Sequence, residues 1–214
     1  VGLRFRRPGL LALGLLAASL GAAPAQATLV EVANRLGNPD LGLTGPSDLG
    51  TVLAGVGDLN GDGVEDLAIG LPNEFGGSGG VLLAFLRHDG TVNETQMLAD
   101  GSGGVPSGSL AAGGRFGSAI AILTDIDGPA GPGAVALAVS APSSPPTGAL
   151  WLLILSPGTA AGSTYPVDVL SAVEIPTPVA VEALAAIGDV NANNVPDLAL
   201  GHPSYAGTSC PGAN

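Results

Sequence analysis

A run of oxygen-bearing side chains stands at Asp58-Leu59-Asn60-Gly61-Asp62-Gly63-Val64-Glu65-Asp66. Counted from Asp58, side-chain oxygens fall at positions 1, 3, 5 and 9, and Gly63 at position 6 permits a sharp turn. A hard cation such as Ca2+ takes roughly six to eight oxygens, and alternating acidic residues on a curled loop supply them. On this reading Asp58, Asn60 and Asp62 are side-chain ligands, Val64 adds its carbonyl, and Asp66 closes the shell with both oxygens. An EF-hand would need a Glu at position 12 and flanking helices, whereas Ile69 stands there within a predicted strand. The alternative is a polar turn without metal, because Asp, Asn and Gly favour turns by themselves.

The same spacing returns at Asp189, Asn191, Asn193, Val195 (through its carbonyl) and Asp197. Two of those side chains are amides, and Asn194 replaces the turn glycine, so this site is expected to hold a cation more weakly. A related stretch keeps Asp125 and Asp127, then diverges through a Gly- and Pro-rich insertion and reaches Ala136 where the closing Asp should be. No calcium is expected there.

Each acidic loop leads into a short aliphatic stretch that ends on a proline: residues 57–72, 124–142 and 188–203. The prolines, Pro72, Pro142 and Pro203, are 70 and 61 residues apart. Such periods fit one supersecondary unit of four strands per repeat. Strands are predicted over 51–56 before the first loop, then over 81–86 and 148–155 as near-continuous apolar runs buried on both faces. Weaker fourth strands are predicted near 95–98 and 167–173, and the third unit lacks its last two. With turns between strands and no helical periodicity, the fold class is all-β.

The units resemble the FG-GAP repeats of integrin-α-like β-propellers. The second carries the resemblance best, with Phe116-Gly117 at its opening and Ser140-Ala141-Pro142 where the family has Gly-Ala-Pro. The first has Leu49-Gly50 and Gly70-Leu71-Pro72, and the third has Ala180-Val181 and Gly201-His202-Pro203. The resemblance implies propeller blades, calcium held in hairpin loops, and a role in adhesion or in binding a protein or glycan ligand at the cell surface. It divides the chain into a linker or strand at 28–47, repeats at 48–110 and 111–178, and a partial repeat at 179–214. Two and a half units are too few for a closed ring, since propellers have about four to eight blades. Missing blades would come from a longer chain or from self-association. Related repeats also accompany the glycosylphosphatidylinositol-specific phospholipase D family and secreted hydrolases, and some propellers are lectins; these are the alternatives.

The residues ahead of the repeats read as a processing segment. Arg4, Arg6 and Arg7 form a basic start, an apolar stretch runs over 10–20, and Ala25-Gln26-Ala27 supplies a signal-peptidase pattern. A signal peptide of 1–27 implies a secreted or cell-surface protein with no stable membrane span after cleavage; the rival is an uncleaved anchor. Beyond that segment 18 acidic residues face 3 basic ones, where the whole chain has a net charge of −12. So acidic a surface repels nucleic acid and anionic lipid and suits cations.

Enzyme signatures are weak. Gly76 to Gly80 matches Gly-x-Ser-x-Gly around Ser78, but a nucleophile elbow needs a helix next and a strand is predicted. His88 and His202 have no companions at metal-ligand spacing and read as surface residues. Trp151 reads as strand core, with a sugar-stacking platform as the alternative. Asn93-Glu94-Thr95 fits a glycosylation sequon, and the single Cys210 excludes an internal disulfide framework. The chain is expected not to be an enzyme, a catalytic domain elsewhere being compatible with the second alternative.

Overall fold

Aliphatic runs cut by Gly and Pro cannot extend into helices, so the chain satisfies its backbone by pairing neighbouring strands. The computed structural model describes residues 36–43, 48–124, 126, 135–145, 147–157 and 165–203. The expected signal peptide of 1–27, Asp125, Asp127 and Cys210 lie outside them. Among the described residues no helix is long and apolar enough to cross a membrane.

Among the described residues three antiparallel sheets follow one another, each with its strands in sequence order. The first contains β1 (Val52–Gly57), β2 (Asp66–Leu71), β3 (Gly80–Leu86) and β4 (Val92–Ala99). The second contains β5 (Ile120–Leu123), β6 (Val135–Ala141), β7 (Ala149–Pro157) and β8 (Val167–Pro176). The third is a hairpin of β9 (Ala183–Gly188) and β10 (Asp197–Gly201). None of the sheets closes on itself, and the fold is all-β as the sequence predicts. The predicted strands appear at their places, but β4 and β8 are longer than their apolar segments.

Burial follows the two-residue period of strands. In β3, Val81, Leu83 and Phe85 enter the core between the first and second sheets, where they join Phe116, Leu137, Val139, Trp151, Leu153 and Leu155. Leu82 and Ala84 point the other way, onto Leu41, Ile69 and Leu71, with Leu41 supplied by a short 3-10 turn at Asn38–Leu41. Both faces of β3 are therefore buried, which is why its sequence is continuous rather than alternating. On the far side of the second sheet, Ala121, Ala138 and Leu150 pack with Leu152 and with Leu184 and Leu198 of the third hairpin.

Phe116 and Gly117 dock the second unit onto the first. Arg115 N donates to Gly77 O at 3.0 Å and Phe116 N to Ser78 O at 2.9 Å, while Gly117 N donates to Ser140 O at 3.0 Å. Phe116 meets Trp151 edge-to-face, with ring centroids 6.1 Å apart. Gly117 has φ 95°, and a Cβ there would run into the carbonyl of Gly80, so only glycine fits. Gln96 ties the same two sheets together: it accepts Val167 N at 3.1 Å and donates to Val167 O at 2.9 Å, a β-bridge made by a buried side chain.

Candidate metal centre

Local geometry of the first loop starts from its hairpin. β1 and β2 pair Gly55 with Leu67 and Gly57 with Asp66, leaving Val56 unmatched in a bulge that turns the strand end. Positive φ at Gly61 (79°) and Gly63 (86°) then curls the loop back on itself. Asp58 organises the curl: its Oδ1 accepts Gly61 N at 2.7 Å and Asp62 N at 3.0 Å, and its Oδ2 accepts Gly63 N at 2.8 Å. Asn60 Oδ1 also accepts Asp62 N, and Asn60 Nδ2 donates to Asp62 Oδ2, each at 3.0 Å. Asp62 Oδ1 accepts Val64 N at 2.9 Å.

Asp66 closes the loop from the first position of β2 and is fully buried. Its Oδ2 accepts Leu59 N at 3.0 Å and its Oδ1 accepts Leu86 N, from the end of β3, at 3.1 Å. Burial pushes its carboxyl above the usual range; the two amides oppose this, and the charges of Asp62 and Asp58 add to it.

The loop of Asp189 to Asp197 repeats the plan. β9 and β10 pair Gly188 with Asp197 and Ala186 with Leu198, so Ile187 is the unmatched residue. Ala192 (φ 60°) and Asn194 (φ 62°) stand where Gly61 and Gly63 do in the first loop. Asp189 accepts Asn193 N at 3.1 Å and Asn194 N at 2.8 Å. Asn191 Oδ1 accepts Asn193 N at 3.0 Å, and Asn193 Oδ1 accepts Val195 N at 2.8 Å. Asp197 Oδ2 accepts Val190 N at 2.9 Å, as Asp66 does Leu59 N. Its Oδ1, however, accepts Asn191 Nδ2 at 3.2 Å, and Asp197 is half-buried.

Side chains at positions 1, 3 and 5 are thus drawn together in both loops, and position 9 anchors the base. The donor set is wholly oxygen, which in kind fits a hard cation and not a zinc or copper site. Among the described residues no group of three or more His, Cys, Asp or Glu side chains is arranged to hold a metal ion. The carboxylates are instead turned to loop amides. In the second unit, Ala136 lies buried in β6 opposite Leu123 and Ile154 and offers no side-chain oxygen.

No family model matches the chain, and no curated protein matches it either. The resemblance to FG-GAP repeats therefore rests on the residues themselves.

Beside the first loop, Asp62, Val64, Leu86, Arg87, His88, Asp89 and Asn93 line a cleft of about 420 Å3. Arg87 donates to Val92 O and Asn93 Oδ1, and Asp89 accepts the amide and hydroxyl of Thr91, whose hydroxyl foremost holds the Asp89 carboxyl below its usual range. No sequence signal marks this cleft, because it is made by the turn after β3 rather than by the acidic loop. None marks Asp100 either, whose carboxylate accepts the amides of Gly108, Ser109 and Leu110 at 2.9–3.0 Å and is held below its usual range by them, Leu110 foremost.

The remaining candidates take structural places. Ser78 is buried, donates to Phe75 O at 3.0 Å and leads into β3, so the strand–turn–helix of a nucleophile elbow is not formed. Trp151 is core, at 4% exposure, which leaves no face for stacking a sugar. His88 is exposed, whereas His202 is half-buried rather than on the surface, because it directly follows β10. Asn93 is exposed in β4 at the register shift opposite Phe85 and Leu86.

Proposed function

We propose that this is an exported calcium-binding protein built from FG-GAP repeats, with its sheets as successive blades of an integrin-α-like propeller. It binds a protein or glycan ligand at the cell surface. The observation that carries the reading is the match between two acidic loops far apart in sequence. They share spacing, hairpin bulge, left-handed positions and backbone hydrogen bonds, as a repeated binding unit would. Calcium would be held by Asp58, Asn60, Asp62 and Asp66 with the Val64 carbonyl, and by Asp189, Asn191, Asn193 and Asp197 with the Val195 carbonyl. When bound, the cation neutralises carboxylates that otherwise repel one another at a strand junction. The loop residues do the rest: their amides fix Asp58 and Asp189, and the closing aspartates tie each loop to its hairpin. The acidic balance of the chain suits this reading and disfavours nucleic acid as a partner. Further blades from a longer chain or a second copy complete the ring.

Thermal unfolding of the full chain with and without calcium tests this. Binding to the native state raises the melting temperature by mass action. A calcium-dependent rise that is diminished in Asp58→Ala is expected; a melting temperature indifferent to calcium, in wild type and variant alike, would overturn the assignment.

A further inference from the structure

We draw no further inference here: the strongest candidate, the outer edge of β10 with exposed Leu200 beside it, occupies the position that β3 covers on β2, but nothing in the structure shows what covers it.

Discussion

In both acidic loops the ninth residue accepts the amide of the second, Leu59 to Asp66 at 3.0 Å and Val190 to Asp197 at 2.9 Å. The other oxygen of that carboxylate separates them. Asp66 gives it to Leu86 of a neighbouring strand, and Asp197 gives it to Asn191 within its own loop. Position 5 explains part of the exchange. In the first loop the Asn60 amide has a carboxylate partner in Asp62, whereas Asn193 leaves Asn191 to turn toward Asp197 instead. The rest follows from topology: β2 has β3 beside it, whereas among the described residues β10 pairs with β9 alone. A loop's own residues set its curl, and the strand beyond it decides how firmly the closing carboxylate is buried.

The closing residues should distinguish the two loops most strongly. Asp66→Ala leaves the buried amide of Leu59 and the half-buried amide of Leu86 without their acceptor. At roughly 1–3 kcal/mol for each unsatisfied group, it should lose about 2–4 kcal/mol in denaturant unfolding. Asp197→Ala removes a half-buried carboxylate whose partners can reach water and should cost under about 1 kcal/mol. Equal losses would show that β3 adds nothing to the first loop.

Left-handed positions come next. Gly63→Ala places a Cβ at φ 86° and should destabilise by about 1–2 kcal/mol. In the third hairpin Ala192 already bears that strain at φ 60°, so Ala192→Gly should stabilise by up to about 1 kcal/mol, with Asn194→Gly smaller because Asn tolerates the conformation. If Ala192→Gly destabilised the protein, the two curls would not be equivalent.

Acidity gives the smallest effect and separates a buried acid, Asp66, from an exposed one, Asp100. Without calcium, Asp66 has its folded pKa raised above the ordinary 3.8, so its contribution is present below that value and is lost as pH rises through the folded pKa. Asp100 is lowered from 3.8 by its three amides, so its contribution is present above 3.8 and is lost as pH falls through its folded pKa. A scan of stability against pH should therefore lose part of its fall above 3.8 in Asp66→Asn and part of its acid-side fall in Asp100→Asn. Parallel curves for wild type and both variants would contradict these assignments.

Much of the fold was legible because its strands are aliphatic and its punctuation is Gly and Pro. Val81 to Leu86 could scarcely be anything but a strand buried on both faces, and the spacing of Asp58, Asn60, Asp62 and Asp66 marked out a loop read as a calcium site, whose side chains accept amides of the same hairpin. What escaped was contributed from a distance by groups with no sequence signature. The amide of Leu86 is a backbone group 20 residues from Asp66. The polar beginning of β4, from Asn93 to Thr95, is a strand because β3 pairs with it, not because its side chains are apolar. Gln96 reads as one more polar residue until Val167 is brought to it.

As proposed, the two loops are repeats of one cation site, made unequal by their own ligands and by the strands around them. Calorimetric titration of the full chain with calcium, beside Asp58→Ala and Asp189→Ala, tests it most directly. Two binding events are predicted, the tighter lost in Asp58→Ala and the weaker in Asp189→Ala. Absence of binding would contradict the calcium reading itself, and a single class of equal sites would contradict the difference drawn between the loops.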